Sequence, residues 1–300
     1  MDNKMLVKDI PDYKDIKPDS EDDRVAPLSE VAEENRKNNN TGDRYSTGFK
    51  RFDDALKGGF ADGDFNVIAG IQQSGKTSFA QTITYHLCKQ AIPCLWFSYE
   101  TVIEELDTKF KNMGIDENYL VYTPFKNTSH RLDWIKDKIK EGVAKYSTKV
   151  VFIDHIGKLV SQKAERSGNK SQFLDAIASE LKDLALELRI VIVTMSHISR
   201  TGDNVPTVQD IYYSSGIGNE ATAVMIIWRL KNESKTSLKL GEDKTEDDDE
   251  EYSNETRVKL GKARPTGHTP ILKFIYKNDR FSLIDNQHED DEYIPSQKND

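Results

Sequence analysis

The chain has almost no cysteine and no long apolar run. Cys88 and Cys94 are its only thiols in 300 residues. One falls in a helical pattern and one opens a strand pattern, so neither a disulfide framework nor a zinc site is indicated and both read as buried thiols. No stretch approaches the roughly 18 to 20 consecutive apolar residues that span a bilayer. The opening Met1-Asp2-Asn3-Lys4-Met5 lacks the apolar core of a signal peptide. Internal repeats are absent, and the histidines other than His197 show no metal-ligand spacing. Together these absences exclude the secreted, membrane-spanning and repeat classes and lead us to expect a soluble, cytoplasmic protein.

A net positive charge is missing as well, since the formal charge is −9. The acid is concentrated, however. Residues 1–23, 241–251 and 285–300 together carry −16, which leaves +7 on the remainder. A mildly basic body with acidic appendages does not exclude nucleic acid as a partner.

What the chain does have is Asn66-Val67-Ile68-Ala69-Gly70-Ile71-Gln72-Gln73-Ser74-Gly75-Lys76-Thr77-Ser78-Phe79. An apolar run breaks into a small-residue turn and resumes with helical spacing, which predicts strand, phosphate loop and helix. In this G-x-x-x-x-G-K-T spacing, Gly70 and Gly75 let successive N–H groups turn toward phosphate oxygens, Lys76 reaches the outer phosphates and the Thr77 hydroxyl can hold magnesium. Gln73, Ser74 and Ser78 complete the set of residues expected to contact the nucleotide. The helix carrying Phe79, Ile83 and Leu87 begins where its dipole favours the anion.

Around this stretch, β-branched runs alternate with amphipathic helices. Residues 94–99, 119–122, 150–154, 190–195 and 224–228 read as strands, with helices over 102–113, 131–146 and a long one carrying Leu174, Ile177, Leu181, Leu184 and Leu188. Such a pattern predicts an α/β fold with a mostly parallel sheet covered on both faces. From Thr256 onward only strands and turns follow (256–260, 271–276, 281–284), which predicts an antiparallel meander at one sheet edge. Residues 1–25 read as an acidic mobile tail, 26–44 as a short helix and connector, 45–285 as the folded domain, 241–251 as a solvated insert and 286–300 as a second acidic tail. The stripe formed by Leu28, Val31 and Ala32 is too narrow to fold alone.

Three further residues fall at strand ends beside the loop. Asp154 ends an apolar strand, where its carboxylate can orient magnesium beside Thr77. Glu100 ends the strand after the loop helix, where it can activate a water. His197 reaches the same edge and could sense a γ-phosphate ahead of the loop at Ile198-Ser199-Arg200, or serve only as a satisfied polar residue.

Taken in order, Tyr45 to Phe49, Gly58-Gly59-Phe60, Gly63-Asp64, the phosphate loop, Phe97 to Glu100, Ile153-Asp154, Met195-Ser196-His197, Asp210 with Ser215-Gly216, and Lys259 to Arg264 with Gly267 closely resemble the RecA-like motor domain of DnaB-type replicative helicases. The resemblance covers about residues 28 to 285. It implies a phosphate-loop ATPase that uses ATP and Mg2+, with Lys76 and Thr77 on phosphate and metal, Asp154 on the metal and Glu100 as catalytic base. It also implies a ring, usually a hexamer, with ATP at subunit junctions and single-stranded DNA in the channel, moving 5′ to 3′, with a primase, loader or polymerase as further partners. DNA contacts would come from Lys158, Lys163, Arg166, Lys170 and Arg200. Lys262 and Arg264 would face the adjacent subunit's γ-phosphate, Arg264 as the finger. His197 stands where bacterial members have glutamine and some phage primase-helicases have histidine, which points to phage ancestry.

Two departures accompany the resemblance. Nothing before residue 26 has the pattern of the family's N-terminal collar or primase domain. The second channel loop reads Asp210-Ile211-Tyr212-Tyr213 where the family commonly has an arginine, and these tyrosines could stack on bases or pack on the sheet. Two other classes keep the phosphate loop and the carboxylates: a RecA/RadA- or KaiC-like ATPase, and a non-unwinding replication accessory protein. The Lys-x-Arg before a glycine in the late strand region favours the helicase over the first.

Overall fold

The computed structural model describes residues 25–37, 42–115, 120–126, 129–160, 170–198, 205–211, 215–231 and 252–284. The chain divides into two units, Met1–Thr41 and Gly42–Asp300. In the first, helix α1 (Leu28–Lys37) starts at Pro27, whose carbonyl accepts from the N–H groups of Glu30 and Val31. It buries none of its residues, and Leu28 and Val31 are exposed.

The second unit opens with β1 (Arg44–Tyr45) and β2 (Phe60–Ala61), an antiparallel pair flanking α2 (Lys50–Ala55). Asp53 ties this segment together. Its carboxylate accepts from the Ser46 hydroxyl, from the Thr47 N–H at 2.8 Å and from the Thr47 hydroxyl at 2.7 Å, so a buried acid is matched by three donors. Then follow β3 (Phe65–Gly70), α3 (Lys76–Lys89), β4 (Cys94–Ser98), α4 (Ile103–Asn112), β5 (Val121–Tyr122), α5 (Leu132–Tyr146), β6 (Val150–Asp154), α6 (Lys170–Leu188), β7 (Val191–His197), α7 (Ser215–Glu220), β8 (Ala223–Lys231), β9 (Tyr252–Ala263), β10 (Ile271–Lys277) and β11 (Arg280–Leu283).

Among the described residues the main sheet runs β11-β10-β9-β8-β3-β7-β6-β4-β5. The six strands from β8 to β5 are parallel, and β9, β10 and β11 add antiparallel pairs. This is the α/β architecture with an antiparallel edge that the strand pattern predicts. Side-chain alternation builds two cores from the same strands. Ile68, Val150 and Phe152 join Phe49, Phe79, Trp96 and Phe274 on one face, while Val67, Val151 and Ile153 join Phe97, Leu174 and Leu181 on the other. Phe49 stacks on Phe79 at 5.7 Å and meets Phe274 edge-on at 5.0 Å, locking α2 to the loop helix and to the antiparallel strands.

Several boundaries differ from the sequence reading. Strands β8 and β9 extend well past their apolar runs, because each is the other's ladder partner and main-chain pairing carries the strand into polar residues. Residues 215–220, read as part of a channel loop, form α7. The acidic tail through residue 24, the 241–251 insert, the 286–300 tail, Tyr212 and Tyr213 lie outside the described residues.

Candidate functional site

Central strand β3 lies between β7 and β8, both parallel to it, so the loop that leaves its C-terminal end is held from two sides. A Cβ on Gly70 would fall 2.4 Å from the Ser74 hydroxyl and 2.7 Å from the Ile227 carbonyl oxygen, so only glycine allows the chain to fold back there. Gln73 and Gly75 take positive φ angles of 62° and 94°. Left-handed residues within such a turn direct its N–H groups inward to form an anion nest. Lys76 opens α3, and its ammonium donates back across the loop to the Ile71 carbonyl at 2.7 Å. Burial holds the Lys76 ammonium below its ordinary range, against the opposing pull of Asp154 and Glu100.

Thr77 follows, and its hydroxyl donates to Oδ2 of Asp154 at 2.6 Å. The second oxygen of Asp154 is buried without a hydrogen-bond partner, as is the Ser74 hydroxyl. Burial pushes the Asp154 carboxyl up to about 6, with Glu100 adding to the rise and Thr77 and Lys76 opposing it. A hydroxyl and a half-satisfied buried carboxylate beside an anion nest form the hard oxygen donor set that suits magnesium carried with a phosphate ligand.

The N–H of Tyr99 donates to the Asp154 carbonyl at 2.8 Å, and the Thr101 N–H and Ser98 hydroxyl close the turn after β4. Glu100 is thereby set beside the end of β6, with its side chain 38% exposed and open to water. Its Oε1 lies 3.2 Å from Nε2 of His155, a residue that carries no motif of its own and that the sequence reading passed over. His197, at the end of β7, presents its ring edge-to-face to His155 at 4.6 Å. Burial lowers both histidines, His155 to about 4, so both rings are neutral near pH 7.

Glu100, His155 and His197 have ligand atoms within 4.8 Å of one another, a spacing that would also suit a transition metal. The tautomer argues against it. The Gly157 N–H donates to Nδ1 of His155 at 3.0 Å, so Nδ1 keeps its lone pair and Nε2 carries the proton toward Glu100.

Lys158 lies in the 3-10 turn Ile156–Leu159 after β6, and Lys170 is the first residue of α6. Lys163, Arg166 and Arg200 fall outside the described residues. Lys262 and Arg264 converge as their i, i+2 spacing predicts, but on main-chain oxygens of their own chain. Lys262 donates to the carbonyls of Gly218 at 2.7 Å and Asn219 at 2.9 Å, and Arg264 also donates to Asn219. Ile227 pairs with Gly70, whereas Ala223 pairs with Ala263. Four residues of β8 separate those points, about 13 Å at strand rise, so the Lys262–Arg264 pair sits at the opposite end of the strand from the phosphate loop. Asp210, another motif residue, is absorbed locally, its carboxylate accepting from the N–H and hydroxyl of Thr207, both at 2.7 Å.

A cavity of about 230 Å³ opens on the other flank of the loop, lined by Gln73, Gly75, Ser78, Arg229, Tyr276 and Phe281. Arg229 and Tyr276 come from the antiparallel extension, which no local sequence pattern connects to the loop.

A central parallel strand that runs through a left-handed glycine loop into a helix, with a hydroxyl–carboxylate pair at adjacent strand ends, defines a phosphate-loop α/β fold. The particular family follows from comparison: the DnaB-like helicase C-terminal domain model matches residues 45–120 and 121–283, and the chain belongs to that family. It is 26% identical over 215 residues to a probable replicative DNA helicase of Trieres chinensis, covering 61% of this chain and 47% of that protein. Against the replicative DNA helicase DnaB of Haemophilus influenzae it is 27% identical over 291 residues, covering 83% of this chain and 56% of the other. The chain thus spans about half the length of these curated relatives. A solved helicase-type ATPase domain superposes with a TM-score of 0.66 at 17% identity, over 87% of this chain and 100% of that one. A DnaB-like replicative helicase, described with its interactions with primase, superposes with a TM-score of 0.64 at 18% identity, over 88% of this chain and 68% of that one. No helix among the described residues is long and apolar enough to cross a membrane.

Proposed function

We propose that this chain is the motor of an ATP-driven ring helicase that moves along single-stranded DNA during replication. The observation that carries the reading is the Thr77–Asp154 contact beside Lys76 and the left-handed Gly75, with Glu100 at the same sheet edge.

The loop N–H groups and Lys76 bind the β- and γ-phosphates of ATP, and the 230 Å³ cavity beside Ser78 and Tyr276 takes the sugar and base. Thr77 and Asp154 hold Mg2+, which neutralises phosphate charge when bound. Glu100 orients a water in line with the γ-phosphate and accepts its proton, and neutral His197 donates to a γ-phosphate oxygen. Lys262 and Arg264 lie too far along β8 to serve their own loop, which favours their acting on a neighbour's nucleotide. That arrangement requires a ring of subunits with ATP at each junction, and we assign a hexamer. DNA then runs past Lys158, Lys163, Arg166, Lys170 and Arg200, with 5′ to 3′ movement. Residues 45–285 form the motor and 26–44 the connector to a neighbour. A primase or loader is the accompanying partner, and the histidine at position 197 favours a phage chain working in the host cytoplasm.

The test is strand displacement on forks with a 5′ or a 3′ tail, in the presence of ATP and magnesium. Unwinding confined to the 5′-tailed fork supports the reading. ATP turnover without displacement on either fork would assign the chain to the non-unwinding class instead.

A further inference from the structure

We propose that His155 is a positioning residue for Glu100, a neutral hydrogen-bond donor that fixes the carboxylate where it meets the attacking water and ties it to the His197 ring. The inference rests on the reading of Glu100 as the general base and extends it to a residue outside the motif set.

Three contacts hold the imidazole. The Gly157 N–H donates to Nδ1 at 3.0 Å, Nε2 faces Oε1 of Glu100 at 3.2 Å, and the His197 ring packs against it with centroids 4.6 Å apart. The first contact sets the chemistry of the second. With its Nδ1 lone pair engaged by a donor, the ring carries its proton on Nε2, so it can only donate toward Glu100. The second contact uses one carboxylate oxygen and leaves the other for water. Gly157 is what lets the backbone come so close: a Cβ there would lie 2.6 Å from Cε1 and 2.8 Å from Nδ1 of His155. Glu100 needs such a holder because it sits in a turn, is 38% exposed, and makes its described ion-pair contact only with this ring. A general base must be placed within hydrogen-bond reach of the proton it takes, and a misplacement of about 1 Å can cost about 100-fold.

The two ring nitrogens can be replaced one at a time. In His155→Asn the side-chain oxygen can accept from the N–H two residues on, as asparagine commonly does in turns, while the donor to Glu100 is lost. In His155→Gln the amide NH2 reaches the depth of Nε2 and restores the donor, while the contact to Gly157 is lost. The experiment measures kcat, the KM for ATP and the melting temperature for both variants and for Gly157→Ala, with single-stranded DNA present. We expect His155→Asn to melt close to wild type with a KM within a few-fold, and its kcat to fall roughly 10- to 100-fold. His155→Gln should recover most of kcat, and Gly157→Ala should lose kcat by displacing the ring. Wild-type kcat in His155→Asn, or a loss in His155→Gln as large as in His155→Asn, overturns the inference while leaving Glu100 as the base. A wild-type chain that hydrolyses no ATP overturns the functional reading and this inference with it.

Discussion

The hydroxyl of Thr77 donates to Asp154 at 2.6 Å across 77 residues of sequence, and the other oxygen of that carboxylate is buried without a partner. The pair is both a structural contact and half of a metal site. Thr77→Ala leaves both carboxylate oxygens unsatisfied, which should destabilise the metal-free protein by about 1–3 kcal/mol and abolish magnesium-dependent turnover. Thr77→Ser should restore both. Thermal melts in chelator, run beside ATPase assays, check this; an unchanged melting temperature in Thr77→Ala contradicts it.

The separation of Arg264 from its own phosphate loop leads to a mixing experiment. Arg264→Ala and Glu100→Gln should each be inactive alone, since an arginine supplied in trans is worth roughly 10³ to 10⁵-fold in phosphoryl transfer and a general base roughly 10² to 10⁴-fold. Combined, they should regain partial ATPase, because some junctions then pair an intact Glu100 with an intact Arg264. A mixture that stays inactive although mixed rings form, or normal hydrolysis by Arg264→Ala alone, contradicts the trans assignment.

Helix α1 buries none of its residues and carries Leu28, Val31 and Ala32 on one stripe. We expect this stripe to dock on a neighbouring subunit, so deletion of residues 1–40 should shift the particle toward monomer in sedimentation velocity. An unchanged oligomer counts against that role.

His86 gives a pH dependence. Burial, reinforced by Arg280, lowers its ionisation from 6.5 to about 4. Between those values the unfolded chain binds a proton that the folded chain refuses. The His86 contribution to stability is therefore complete above pH 6.5 and is lost as pH falls through 4, by about 3 kcal/mol at most. Asp53 acts in the opposite sense. Burial pushes it up to about 6, so its contribution is complete below its ordinary value and is lost as pH rises through 6. Replacing His86 with leucine should flatten the decline in urea midpoint between pH 6.5 and 4, and a decline as steep as wild type contradicts this account.

The fold and half of the site were legible because their determinants are local. Gly70, Gly75, Lys76 and Thr77 announce their roles by spacing, and Asp154, Glu100 and His197 do so by ending apolar runs whose C-terminal ends share one sheet edge. His155 was not legible, since its role depends on a 3-10 turn that brings Gly157 under its ring and on a carboxylate 55 positions away. The contacts of Lys262 and Arg264 with Gly218 and Asn219 were hidden for the same reason. Arg229 and Tyr276 reach the loop cavity only through the long β8–β9 ladder, whose length exceeds that of its apolar runs.

The central claim is that this site hydrolyses ATP in a manner coupled to single-stranded DNA. Its most direct test is the rate of phosphate release at saturating ATP and magnesium, with and without single-stranded DNA, for wild type, Lys76→Ala and Glu100→Gln. The account predicts DNA-stimulated turnover in wild type, none in either variant, and retained ATP binding only in Glu100→Gln. Turnover that persists in Glu100→Gln, or a wild-type rate indifferent to DNA, would contradict it.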